Sequence, residues 1–208
     1  MDTLIFDFDG TLADSFSLML EIAYRITGIG PLTDEEVARL RRFSIMKVRK
    51  ELHIPLRKVP RLVTEGRHEM RERIGEVTTF AGIADALEAL HSAGHRLLVM
   101  SSNSEDNVRA FLRKQGLERY FDAVYGGVGV FDKASSLRKV LRANRLDKRQ
   151  CWYVGDEVRD IIAAHKVGVR VVSVDWGYQD PAALAEHKPD VLIHQPHELV
   201  ALFARRAV

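Results

Sequence analysis

The sequence predicts an α/β fold: a parallel sheet with helices on both faces, interrupted after its first strand by a small all-helical insertion. Three observations predict it. Short, near-continuous apolar runs alternate with amphipathic helical patterns, as expected of strands buried on both sides by crossover helices. The polar clusters fall at the carboxyl ends of those runs, where open parallel sheets bind their ligands. Between residues 15 and about 80 only helical periodicity appears.

The first strand, Leu4-Ile5-Phe6, runs directly into Asp7-Phe8-Asp9-Gly10-Thr11. Two carboxylates at the end of a buried strand are costly unless protons or a cation compensate their charge. On an ideal strand Asp7 and Asp9 fall on the same side, so their oxygens are expected to share one metal ion or one substrate. Gly10 permits a sharp turn after the acids, and Thr11 brings a hydroxyl close to whatever they hold.

Phe16, Met19, Leu20, Ala23 and Tyr24 then recur at helical spacing until Gly28-Ile29-Gly30-Pro31 stops the helix. Thr33 reads as the N-cap of the next helix, with Glu36 completing a capping box. The helical pattern continues to Ile74, broken near Pro55 and Pro60, with no convincing strand. From Phe80 the rhythm changes. A helix carrying Ile83, Ala86, Leu87 and Leu90 ends near Gly94, and Leu97-Leu98-Val99-Met100 is a strand leading into Ser101-Ser102-Asn103-Ser104. Ser104 is the expected N-cap of a helix presenting Val108, Phe111 and Leu112. Next come a strand at Ala123-Val124-Tyr125, a Gly-rich loop, and Lys133 opening a helix with Leu137, Val140 and Leu141. Trp152-Tyr153-Val154 is a strand running into Gly155-Asp156, followed by a helix presenting Val158, Ile161 and Ile162. Val169 to Val174 and Asp190 to Ile193 are the last two strands.

At 208 residues, with 46% hydrophobic and 29% charged residues, the chain has the composition of an ordinary globular protein and length enough for one core plus a smaller unit. A formal charge of +2 gives no argument for nucleic acid. No apolar stretch approaches a membrane span, and the strand after Met1 leaves no room for a signal peptide, so a cytoplasmic location is expected. The single cysteine, Cys151, fits a reducing compartment and reads as a buried strand position. Residues 15 to 80 carry 13 Lys and Arg against 9 Asp and Glu.

Four clusters meet at the carboxyl edge: Asp7 and Asp9, Ser101 to Asn103, Lys133, and Asp156 with Asp160. In this order and spacing they resemble the four motifs of the haloacid dehalogenase-like hydrolases, and the layout is similar to the phosphoglycolate phosphatase-like group. The resemblance spans nearly the whole chain. It implies a Rossmann-like catalytic core over residues 1–14 and 81–208 and a helical cap over 15–80. It implies Asp7 as nucleophile, Asp9 as general acid and base, and Lys133 and Ser101, with Thr11, Ser102 and Asn103, as partners of the phosphoryl oxygens. Mg²⁺ is then held by Asp7, Asp9 through its carbonyl, and Asp156. Asp160 either binds the ion through water, orients Lys133, or simply caps its helix.

The acid at Asp9 separates chemistries within that family, since dehalogenase members lack it, phosphonate-cleaving members carry Ala and P-type ATPases Thr. The implied activity is hydrolysis of a small phosphorylated metabolite. The alternatives are a phosphomutase of the β-phosphoglucomutase type and a binding or regulatory protein that has lost turnover. Neither nucleic acid nor membrane is an expected partner, and nothing in the sequence sets an oligomeric state. In the insertion, Arg41, Arg42, Lys47, Arg49, Lys50, Arg57, Lys58 and Arg61 read as a solvated face from which one residue contacts substrate. Glu157 reads as a solvated acid, and His53 and His68 as structural or exposed. Trp176-Gly177-Tyr178 either borders the site or packs.

Overall fold

A computed structural model describes residues 1–129 and 132–204. Positions 130 and 131 of the expected Gly-rich loop, and 205–208 at the end of the expected core segment, lie outside the described residues. Strand β1 (Thr3–Phe6) leads through a turn at Gly10 to the two-residue β2 (Ala13–Asp14). Helices α1 (Phe16–Thr27), α2 (Asp34–Leu40), α3 (Ile45–Glu51) and α4 (Val59–Arg73) follow, and then β3 (Thr78–Thr79). The remainder alternates: α5 (Ile83–Ser92), β4 (Arg96–Met100), α6 (Glu105–Lys114), β5 (Ala123–Tyr125), α7 (Lys133–Ala143), β6 (Cys151–Gly155), α8 (Val158–Val167), β7 (Arg170–Val174), α9 (Pro181–Glu186), β8 (Val191–Ile193) and α10 (His197–Ala204).

Six strands form one parallel sheet in the order β5-β4-β1-β6-β7-β8. The order reverses at β1, so the switch point, where open sheets bind ligands, lies between β1 and β6. Phe6 pairs with Val99 on one side and Val154 on the other. The three central strands therefore end nearly level, and the residues after them share one edge.

Strand alternation divides the core. Leu4, Phe6, Leu97, Val99, Trp152 and Val154 pack with α5, α6 and α10 through Leu87, Phe111 and Phe203. Ile5, Leu98, Met100 and Tyr153 pack on the opposite face with α7, α8 and α9 through Leu137, Ile161 and Leu184. Each such side chain, fully buried, contributes about 1.5–3 kcal/mol. Cys151 is buried as expected, and burial pushes its thiol up to about 11, which leaves little thiolate for reaction at neutral pH.

The capping box of Thr33 and Glu36 forms, but two expectations need correcting. β2 and β3 pair antiparallel, so a short ribbon stands where the helical segment leaves and returns; two-residue strands carry no periodicity to read. Ile162 is 54% exposed, because Val158, Ile161 and Ala164 already occupy the inward face of α8. On α1 the buried residues are Leu18 and Ile22, whereas Phe16, Met19, Leu20, Ala23 and Tyr24 are only half-buried. Among the described residues no helix is long and apolar enough to cross a membrane.

Candidate active site

Asp7 continues β1 by one residue: its N–H donates to the Val154 carbonyl at 2.8 Å. That bond fixes the carboxylate at the edge between β1 and β6. Asp7 Oδ1 accepts the Phe8 N–H at 2.8 Å, and Oδ2 accepts Lys133 Nζ at 2.5 Å. Lys133 is the first residue of α7, a helix start set by Asp132, which accepts the Ser135 N–H at 3.1 Å. The same ammonium donates to Asp160 Oδ1, while Asp160 Oδ2 accepts the Glu157 N–H at 3.0 Å. Asp156 follows β6 directly, accepting the Thr11 hydroxyl at 2.8 Å and the Tyr178 N–H at 2.7 Å.

Asp7, Asp156 and Asp160 each offer one oxygen, and the three atoms lie within 4.8 Å of one another. All three residues are buried, as is Lys133. Burial, reinforced by the charges of Glu157, Asp7 and Asp160, pushes the Asp156 carboxyl well above its usual range. Asp160 is raised to about 6, again chiefly by burial, with Lys133 opposing. Burial pulls the Lys133 ammonium down, but Asp160 and Asp7 outweigh it and hold the group above its ordinary value. Arg159, whose charge also reaches this cluster, pairs with Glu157 at 2.5 Å. One ammonium against three carboxylates leaves negative charge in excess, and an all-oxygen donor set suits a hard divalent cation.

Gly10 lets the turn after β1 pass close against Asp156 and Tyr178. Its φ is +78°, and a Cβ there would run into the Asp156 carboxylate and the Tyr178 ring.

The Asp9 carboxylate stands apart from that group, contrary to the alternation argument, because β1 ends at Phe6 and strand periodicity no longer applies. Ser15 donates to Asp9 Oδ1 at 2.8 Å and Asn103 Nδ2 to Oδ2 at 3.2 Å. Ser15 has a single proton and gives it to Asp9, so the 2.8 Å contact with Tyr178 is a bond from the phenol to Ser15. Burial raises Asp9 to about 6, against the lowering effect of the Ser15 bond.

The other expected residues are placed as follows. The Thr11 hydroxyl donates to Asp156. The Asn103 side chain holds Asp9 and Asn107, and its N–H donates to Ser101 Oγ at 3.0 Å. Ser101 is buried at the end of β4, and the Ser102 carbonyl accepts two N–H groups of Arg67. Glu157 is not solvated: it is the N-cap of α8, its side chain 13% exposed against Arg159. His53 and His68 are exposed. Of the basic residues in the insertion, Arg41 reaches the edge, donating to the Tyr178 and Gly177 carbonyls at 2.9 and 2.5 Å. Arg67 and Ser15 as partners of this site carried no sequence signal, since neither sits at a motif spacing, whereas Tyr178 belongs to the Trp176-Gly177-Tyr178 loop and meets the first of its two alternatives by bordering the site.

A parallel α/β sheet with a carboxylate cluster and a buried lysine at its switch point defines an enzyme of the open-sheet class. Residues 4–174 match the haloacid dehalogenase-like hydrolase family. A phosphoglycolate phosphatase from Synechococcus elongatus is 33% identical over 203 residues, covering 96% of either chain. A 5'-nucleotidase from Pseudomonas aeruginosa is 27% identical over 209 residues, covering 96% of this chain and 92% of its own. A haloacid dehalogenase-like family hydrolase from Streptococcus pneumoniae superposes with a TM-score of 0.81 at 23% identity, over 98% of both chains. The chain belongs to the haloacid dehalogenase-like hydrolases. Phosphatases of this family generally use a divalent metal, and the three-carboxylate group has the donor chemistry to hold one.

Proposed function

We propose that this chain is a Mg²⁺-dependent phosphatase that hydrolyses a small phosphomonoester through an aspartyl-phosphate on Asp7. The observation that carries the reading is the buried Asp7 carboxylate, held by Lys133 beside Asp156 and Asp160, with a second acid, Asp9, two residues on. Residues 1–14 and 81–208 form the catalytic core and 15–80 the cap, whose ends the β2–β3 ribbon ties together.

In the first step an Asp7 oxygen attacks phosphorus and the bond from phosphorus to the ester oxygen breaks. Asp9 gives its proton to the departing alkoxide. In the second step Asp9 takes a proton from water as the water oxygen attacks phosphorus, and the phosphorus–Asp7 bond breaks to release inorganic phosphate. Lys133 and the Ser101 hydroxyl hold phosphoryl oxygens, with backbone N–H groups at the turn after β4. Mg²⁺ would be held by Asp7, Asp156 and the Asp9 carbonyl, with Asp160 binding it through water or orienting Lys133. When bound, the ion neutralises charge on the phosphoryl oxygens.

Phosphate release measured over a panel of phosphorylated metabolites, with and without Mg²⁺, tests the reading. The wild type is expected to turn over at least one ester only with Mg²⁺, and Asp7→Asn to lose at least about 10³-fold in kcat, because no other group supplies the nucleophile. Full activity in Asp7→Asn would sink it.

A further inference from the structure

Between the helical segment and the carboxyl edge of the sheet lies a cavity of about 390 Å³, a size that encloses whole organic ligands. α1 to α4 supply its walls, with Phe16, Met19, Ile26, Phe43, Leu62 and Met70 among them, and Asp9, Asn103 and Tyr178 close its inner end. Asp9 is the group assigned to protonate the leaving alkoxide, so the organic part of an ester positioned for attack by Asp7 extends into this space.

The walls are built for an apolar occupant. α1 turns a broad apolar face to it: Phe16, Met19, Leu20, Ile22, Ala23 and Ile26 line the cavity. Gly66 is a buried residue in the interior of the 15-residue α4, and a Cβ built on it meets nothing within 4 Å. Alanine would stabilise such a helix position, and its absence widens the cavity. Four arginines also line the cavity: Arg41 donates to the Gly177 and Tyr178 carbonyls, Arg67 to Ser102, Arg49 to Ile54 and Arg159 to the Glu157 carboxylate.

Resting on the phosphatase reading, we infer that the substrate is the phosphate monoester of an apolar primary alcohol several carbons long. The test is phosphate release with Mg²⁺ from methyl, butyl and hexyl phosphate, with phosphoglycolate and 4-nitrophenyl phosphate alongside. Straight-chain alkoxides are leaving groups of nearly equal quality, so a trend along the series reports burial. kcat/KM is expected to rise about fourfold per methylene, the factor that burial of one CH₂ contributes, and butyl phosphate to exceed phosphoglycolate. In Gly66→Phe, checked for folding by circular dichroism, the hexyl-to-methyl ratio of kcat/KM should fall at least tenfold.

A flat or falling series, or preference for phosphoglycolate over butyl phosphate, overturns the inference and leaves the phosphatase reading intact. So does an unchanged ratio in folded Gly66→Phe, which would place the alkyl chain elsewhere. Release from none of the esters, 4-nitrophenyl phosphate included, overturns both.

Discussion

Asp9 accepts two hydrogen bonds, from Ser15 and Asn103, yet burial still raises it to about 6. An acid in that range is protonated often enough near neutrality to donate and is ready to accept afterwards. Asp9→Asn keeps the shape and removes the proton. For an alkyl phosphate, whose alkoxide needs protonation, kcat/KM should fall about 10²- to 10⁴-fold. For 4-nitrophenyl phosphate, whose leaving group departs as a stable anion, the loss should be under about tenfold. Steady-state kinetics on the two substrates checks this, and equal losses would remove Asp9 from leaving-group protonation. The residues that ended up around this edge were legible to different degrees. Asp7, Asp9, Lys133, Asp156 and Asp160 stand next to strand ends and helix starts, where an acid or lysine has few structural reasons to be. Tyr178 was within reach of the sequence as part of a loop bordering the site, but its meeting with Ser15 arises only through the fold, so no spacing announces the pair.

The loop after β7 links helix and sheet. Its Tyr178 N–H donates to Asp156, its phenol to Ser15, and Trp176 Nε1 to the Thr11 carbonyl at 3.1 Å. Its carbonyls at Gly177 and Tyr178 are gripped by Arg41, the C-cap of α2. An arginine in the helical segment thus orients a carboxylate assigned to the metal through one backbone segment. Arg41→Ala should raise the Mg²⁺ concentration for half-maximal activity about tenfold or more, the effect typical of losing a group that orients a metal ligand. A Mg²⁺ titration at saturating substrate measures it; a change in KM for substrate alone would make Arg41 a substrate contact instead. At this scale the long elements were readable because they bury a face: the runs that became β1, β4 and β6 are fully apolar, and α5 packs through the residues its spacing named. What was not readable has physical reasons. The β2–β3 ribbon is held by backbone pairing and a neck geometry rather than by side-chain pattern.

Across the whole molecule, the fold concentrates its excess negative charge at one point. Three buried carboxylates face one lysine, and Lys133 satisfies Asp7 and Asp160 while Asp156 relies on a hydroxyl and an amide. Buried like charges oppose folding unless a cation joins them. A divalent ion that binds the folded state alone stabilises it by RT ln(1 + [L]/Kd), about 2.7 kcal/mol at a hundredfold excess over Kd. At about 2–4 °C per kcal/mol for a domain of this size, saturating Mg²⁺ should raise Tm by about 5–10 °C over protein in chelator. Asp156→Ala should abolish most of that increment, because it removes one of the carboxylates assigned to the ion. A Lys133→Met variant should do the reverse, losing stability in chelator and recovering more of it with Mg²⁺. Differential scanning calorimetry of the three proteins in chelator and in Mg²⁺ separates these outcomes. Equal Mg²⁺ increments in all three would mean that the ion binds somewhere other than the carboxyl edge of β1 and β6.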